Sequence, residues 1–265
     1  LLLMSKQPIG IFDSGIGGLS ILKAIKSILP SEDLIYIGDT AFLPYGNKNK
    51  TIIKTRAFTI CNYLLSQHCK SIVVACNTAT SAAIADLRNE LSVPIIGIEP
   101  AIKPATERTQ NRIIGILATE ATLDGKKFTD LKSKFGQKAT IFSQACVGLV
   151  EEIEAGELGS SKLHDLIKMY VEPLIDKGAD TLVLGCTHFP LVKQIIRKYS
   201  PPGTTIIDPS ASVASELKRQ LYDKGLLRAQ QEGSVTLLKT GENDNFNLFT
   251  KDLLGSANQP SPLNL

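Results

Sequence analysis

The sequence predicts an α/β protein made of two similar doubly wound parallel-sheet domains, and three observations lead there. Short β-branched runs alternate with helix-length amphipathic stretches along most of the 265 residues. The apolar runs are continuous instead of alternating, which suits strands buried on both faces of a parallel sheet. Two pairs of segments also repeat at nearly one spacing. Ile-Gly-Ile-Phe-Asp at 9–13 returns as Ile-Gly-Ile-Leu-Ala at 114–118, an offset of 105 residues. Ile-Val-Val-Ala-Cys-Asn-Thr at 72–78 returns as Leu-Val-Leu-Gly-Cys-Thr-His at 182–188, an offset of 110. Any two buried strands look somewhat alike, but the agreement of two offsets points to duplicated halves.

Taken in order, the strands are expected at Ile9–Phe12, Leu34–Ile37, Ile72–Ala75, Ile95–Ile98, Ile113–Leu117, Ala139–Ser143, Thr181–Leu184 and Thr205–Ile207. Helices are expected at Leu19–Ile28, Ile52–Gln67, Ala79–Leu91, Lys126–Lys134, Ser160–Lys177 and Leu191–Lys198. Pro100 and Pro104 are read as interrupting regular structure over Glu99–Thr106, which marks a boundary. A second boundary falls near Asp208–Pro209, where the chain is expected to return to the first half. The domains are therefore 1–99 with 210–265, and 100–209. The returning segment carries one clear helix, Val213–Lys224, and one strand, Ser234–Leu238; the polar tail from Gly255 is expected to fray. Pseudo-twofold symmetry between the halves is expected, which would bring the active site between them.

Composition narrows the function classes. With 43% hydrophobic and 21% charged residues the chain can bury a sizeable core. The net charge of +3 is weak, and no dense basic run marks a nucleic-acid or membrane surface. Leu1 to Met4 is too short an apolar stretch for a signal peptide or a span, and no run approaches the roughly 18 residues a spanning helix needs. A soluble protein is expected. The five cysteines are odd in number and include no C-x-x-C pair, so neither a disulfide framework nor a structural zinc site is supported. Reduced thiols in a cytoplasmic protein fit better.

Two of those thiols occupy matching places. Cys76 follows a strand and precedes Asn77-Thr78-Ala79-Thr80, the start of a helix. Ligand crevices of open α/β sheets lie at such strand ends, and a helix N-terminus favours a thiolate. A buried core cysteine is the ordinary alternative. Cys186, followed by Thr187-His188-Phe189-Pro190, has the same local position in the second half and shifts the balance. Two strand ends facing each other across a pseudo-twofold put one thiol on each face of a substrate. That arrangement removes a proton from one face of a carbon and returns one to the other. No lysine is marked as a pyridoxal-phosphate site, so a cofactor-free reaction is expected.

Other polar residues gather at the same strand ends. Asp13-Ser14 closes the first strand and opens Gly15-Ile16-Gly17-Gly18, whose backbone N–H groups suit a carboxylate. The spacing is not the G-x-G-x-x-G of a dinucleotide loop, and an ordinary strand–helix turn explains it as well. Asp39 and the loop Pro44-Tyr45-Gly46 follow the second strand. His188 stands two residues beyond Cys186, where it polarises the thiol or meets a substrate carboxylate. His68 and His164 are read as surface residues within helices.

Together these segments resemble the glutamate racemase family. Gly10 to Gly18, Gly38-Asp39-Thr40, Pro44-Tyr45-Gly46, Ala75-Cys76-Asn77-Thr78 and Gly185-Cys186-Thr187-His188-Phe189-Pro190 appear in family order across 9–209. The resemblance implies that Cys76 and Cys186 are the two catalytic cysteines, one deprotonating D-glutamate and the other L-glutamate. It implies that Asp13 and His188 assist them. Asp13, Ser14, Tyr45, Gly46, Asn77, Thr78, Thr187 and His188 match substrate-contacting positions, with Pro44 beside them; Thr119 and Thr122 resemble contacts to the α-carboxylate or ammonium. A family glutamate near the second cysteine corresponds by spacing to Glu154, with Glu151 second among the crowded Glu151, Glu152 and Glu154. Val147 replaces the proline usual after the position of Cys146. The family needs no cofactor or metal, is commonly a homodimer, and supplies D-glutamate for bacterial peptidoglycan. Only eight residues precede Ile9, so activation through a longer N-terminal extension is not expected.

Rivals share parts of this pattern. An aspartate or hydantoin racemase would keep the paired cysteines and the fold. A non-catalytic regulatory protein on the same scaffold would not need both thiols. A thiol-dependent hydrolase would use Cys186 and His188 and leave Cys76 unexplained.

Overall fold

A computed structural model describes residues 2–229, 232–255 and 259–265. The chain divides into two compact units, 1–98 with 210–265, and 99–209. Both are α/β units on parallel sheets.

The first unit begins with α1 (Leu2–Ser5), β1 (Ile9–Asp13), α2 (Leu19–Ile28), β2 (Leu34–Gly38), α3 (Lys50–Ser66), β3 (Ser71–Val74), α4 (Asn77–Glu90) and β4 (Ile95–Gly97). Every residue of β1 and of β3 is buried, as continuous apolar runs require in a sheet covered on both faces. Helix α2 buries Leu19, Ile21, Leu22 and Ile25 along one side and keeps Lys23 and Lys26 away from the core. Helix α3 starts where the Asn49 side chain accepts the Ile52 N–H at 2.9 Å.

The second unit runs through α5 (Ile102–Arg108), β5 (Ile113–Ala118), α6 (Glu120–Leu123), α7 (Lys126–Phe135), β6 (Thr140–Ala145), α8 (Leu149–Glu154), α9 (Ser161–Asp176), β7 (Thr181–Leu184), α10 (Lys193–Lys198) and β8 (Thr205–Ile207). The chain then re-enters the first unit with α11 (Ser210–Asp223), β9 (Val235–Lys239), α12 (Asp244–Leu254) and β10 (Ser261–Pro262). Helix α11 lies against α2, and β9 joins the sheet beside β2.

The strand orders explain the internal repeat. The first sheet runs β10-β9-β2-β1-β3-β4 and the second β6-β5-β7-β8. Removing the returning strands leaves β2-β1-β3-β4, the same winding as the second sheet. In each, the chain moves from its first strand to one side and then crosses to the other. That reversal leaves a crevice beyond the carboxyl ends of β1 and β3 in one unit, and of β5 and β7 in the other.

Several details differ from the sequence reading. Pro104 does not break the chain; it lies third in α5, within the first turn, where backbone N–H groups have no partner inside the helix. The segment after 210 carries a second helix, α12, capped by Asn243, whose side chain accepts the Phe246 N–H at 3.1 Å. The tail does not simply fray: residues 256–258 lie outside the described residues, but β10 pairs with β9 through Ser261 and Pro262. The helix expected at Leu191–Lys198 is a 3-10 turn, Phe189–Val192, followed by α10, with Pro190 at the start of the tighter turn. His68 sits just past α3, not in it, with a left-handed φ of 58°. His164 is half-buried on α9, its Nδ1 3.0 Å from Tyr199 Oη.

Candidate active site

In the first unit the site residues follow from the register of β1 against β3. Phe12 is level with Val74, so Asp13 is level with Ala75 and Ser14 with Cys76. Cys76 caps α4: its sulfur accepts the Ala79 N–H at 3.4 Å and lies 3.8 Å from Ser14 Oγ. The residue is only 4% exposed. Placed at the positive end of a 14-residue helix, its sulfur is where negative charge is stabilised.

Asp13 is fully buried, and its Oδ1 accepts the Gly15 N–H at 2.9 Å, which turns the chain sharply out of β1. A methyl group on Gly18 would lie 2.7 Å from Asp13 Cβ and 2.8 Å from Tyr36 Oη, so only glycine lets α2 begin this close to the strand end. Asn77 and Thr78 form the first turn of α4, both buried. Neither polar atom of the Asn77 amide bonds to another group in the protein. A buried amide in that condition is costly unless something enters to meet it.

Pro44, Tyr45 and Gly46 build a short turn after β2, with Tyr45 packed in the same apolar cluster as Cys76 and Ala79. The Tyr45 hydroxyl donates to Asp39 Oδ2 at 2.5 Å. Burial, and then the Asp39 carboxylate, push this phenol above its usual range. Asp39 is also gripped by Arg56, from Nε to Oδ2 at 3.0 Å and from Nη2 to Oδ1 at 2.7 Å, and by Thr240 Oγ1 at 2.7 Å.

The second unit repeats the register. Leu117 of β5 is level with Leu184 of β7, so Ala118 is level with Gly185 and Thr119 with Cys186. Cys186 thus holds the place in this sheet that Cys76 holds in the other. Cys186 is 5% exposed, with its sulfur 3.7 Å from His188 Nδ1. The other imidazole nitrogen, Nε2, is 2.6 Å from Glu154 Oε1. Burial alone acts to lower the imidazole pKa, but its bonds to Cys186 and Glu154 and their charges outweigh that and hold it well above the ordinary histidine value. Thr187 is buried beside them. Thr119 caps α6 by accepting the Thr122 N–H at 3.3 Å, and the two hydroxyls lie 2.9 Å apart.

Of the three glutamates on α8, only Glu154 reaches this cluster. Glu151 is exposed, and Glu152 pairs with Lys162 at 2.5 Å. Leu149, Val150, Ile153 and Glu154 are the buried positions of α8, spaced as one helical face. That spacing was the signal in the sequence that singles out Glu154. Sequence reasoning missed Arg56 and Thr240, the partners that hold Asp39. Of the remaining thiols, burial raises Cys61 and Cys69 to about 12, and burial together with nearby Cys186 raises Cys146 well above the usual value. Among the described residues no group of three or more His, Cys, Asp or Glu is placed to hold a metal ion, and no helix is long and apolar enough to cross a membrane.

A fold of two parallel-sheet α/β units, each with a buried thiol just beyond a central strand, defines a class of protein. Residues 10–217 match the family described as Asp/Glu/Hydantoin racemase. The glutamate racemase of Methylococcus capsulatus is 47% identical over 233 residues, 88% of this chain and 86% of its own. The crystal structure of a glutamate racemase isoform from Bacillus anthracis superposes with a TM-score of 0.89 at 31% identity, covering 98% of each chain. That of the Francisella tularensis glutamate racemase in complex with D-glutamate gives 0.84 at 30% identity, over 98% of this chain and 97% of the other. The chain belongs to the Asp/Glu/hydantoin racemase family. It is an amino-acid racemase.

Proposed function

We propose that the protein interconverts L- and D-glutamate without a cofactor by transferring protons through Cys76 and Cys186. The observation that carries this reading is the matching register of the two thiols, each level with the first residue beyond the neighbouring central strand. One sulfur, as thiolate, takes the α-proton and becomes a thiol. The electron pair left on the α-carbon is delocalised into the adjacent carboxylate. The opposite sulfur, as thiol, gives its proton to the other face and becomes a thiolate. The reverse reaction exchanges the two roles, so a group near neutrality serves both.

The surroundings of each thiol suit this work. Ser14 and the Ala79 N–H stand at Cys76, with Asp13 one register step away. His188, coupled to Glu154, stands at Cys186 and supplies positive charge and a mobile proton there. The Asn77 amide is suited to a polar substrate, having no bond within the protein. We assign substrate contacts to Ser14, Pro44, Tyr45, Gly46, Thr78, Thr119, Thr122 and Thr187 as well. The product D-glutamate would feed peptidoglycan synthesis, in the cytoplasm, from a homodimer. The similarity to glutamate racemases, one of them with D-glutamate bound, supports glutamate as the substrate.

The test is circular dichroism of the pure protein in D2O with L-glutamate and then D-glutamate, no cofactor added. Decay of the signal to zero from both enantiomers, with deuterium entering the α-position, is the expected result. No decay with glutamate but decay with aspartate would move the substrate and keep the chemistry. No exchange with any amino acid, thiols reduced, would sink the proposal.

A further inference from the structure

We propose that Arg56 is a positioning residue for the substrate, acting through Asp39 on Tyr45 and the turn that carries it. The inference rests on the reading that Pro44-Tyr45-Gly46 meets the substrate, and goes beyond it by naming what holds that turn in place.

Arg56 stands in the middle of α3, where the sequence suggests an ordinary helix residue, yet it is buried. It spends both Nε and Nη2 on the two oxygens of Asp39, a fork that only a guanidinium provides. Its Cζ lies 4.1 Å from the Phe42 ring centre, over the ring, and Nη1 donates to the Leu265 carbonyl at 3.4 Å. The guanidinium is therefore locked on every side. Asp39 in turn receives Tyr45 Oη and Thr240 Oγ1, so one carboxylate ties together the end of β2, the turn at Tyr45, α3 and the segment after β9. Tyr45 packs with Cys76 at the other end of this chain of contacts.

The ion pair does not need to be there for the fold alone. Burying two charges gains little over packing apolar groups of the same size. What the pair does supply is a fixed acceptor. With both oxygens held by the fork, Oδ2 has one orientation, and the Tyr45 hydroxyl is committed to it. The ring and the Pro44-Gly46 backbone then have one position beside Cys76. A lysine at 56 keeps the charge but loses the fork, so the carboxylate turns and the tyrosine loosens.

The experiment is a double-mutant cycle on glutamate racemisation with the native enzyme, Arg56→Lys, Tyr45→Phe and the pair. We expect Arg56→Lys to raise KM roughly tenfold, with kcat changed by less than about threefold because the turn binds the substrate and does not touch the moving proton. In the Tyr45→Phe background the same replacement should leave KM nearly unmoved, since the hydroxyl through which it acts is gone. Equal rises in both backgrounds, or a lowered melting temperature with KM unchanged, would overturn the inference. Should Arg56→Lys fail to fold, Thr240→Val removes the Thr240 bond to Asp39 while leaving the ion pair, and must show the same dependence on Tyr45 in smaller measure. If the native enzyme turns over no glutamate, the underlying reading fails; if it does and the cycle is additive, only the role of Arg56 fails.

Discussion

Replacing Glu154 by glutamine keeps the shape of the side chain and removes its charge. In the native protein the Glu154 carboxylate is 2.6 Å from His188 Nε2, with the residues 5% and 2% exposed, so solvent screens the contact little. A hydrogen bond to a charged group is worth about 1.5–3 kcal/mol and a neutral one about 0.5–1.5 kcal/mol. The difference is about 1 kcal/mol in favour of the charged contact. The imidazole of Glu154→Gln should therefore titrate lower than in the native protein. The sign for stability follows. A histidine raised in the folded state stabilises fully below its unfolded pKa of about 6.5, and that contribution fades as pH rises through the folded value. The variant should be about 1 kcal/mol less stable at pH 6, with the gap narrowing in alkali. The chain has three histidines, so the His188 ring resonances can be followed by NMR through a pH series, beside urea unfolding at two pH values. An unchanged His188 titration in the variant would refute the idea that Glu154 holds this proton.

Three further outcomes are expected. Cys76→Ala and Cys186→Ala should each abolish racemisation, a fall of at least about a thousandfold, while single-sided α-proton exchange with solvent survives for one enantiomer; near-normal turnover in either variant would end the two-thiol mechanism. Gly18→Ala drives a methyl group to 2.7 Å from Asp13 Cβ, and should cost about 1–3 kcal/mol in urea unfolding and slow turnover by displacing Asp13; a full-rate, full-stability variant would show that the loop relaxes freely. Cys61 and Cys69, raised to about 12 by burial, should resist iodoacetamide at pH 8 in the folded protein and react only on unfolding, as peptide mass mapping would reveal; labelling of either in the native state contradicts their burial.

The fold was legible because its signals are local. Buried parallel strands such as Ile9–Asp13 and Thr181–Leu184 are uninterrupted apolar runs, and the winding repeats in both halves. Cys76 and Cys186 could be placed at strand ends for the same reason. What stayed hidden depends on position within an element or on distant partners. Pro104 was read as a breaker because the rule against proline holds for helix interiors, and it sits in a first turn. Helix α12 opens with Asn243, Asp244 and Asn245, residues that favour turns, and forms around buried Phe246. Arg56 meets Asp39 across 17 residues and Thr240 meets it across 201, and no periodicity announces such pairs.

The return of the chain at Ser210 sets an order on synthesis at the ribosome. Residues 99–209 are contiguous, so that unit has its four strands as soon as β8 emerges. The earlier residues wait longer: strand β2 gains its neighbour β9, and Asp39 its bond to Thr240, only after the later unit has been made. The half that is translated first is thus the half that finishes last, and until residue 240 leaves the tunnel one flank of its sheet is an unpaired edge that a nascent chain must keep from other strands.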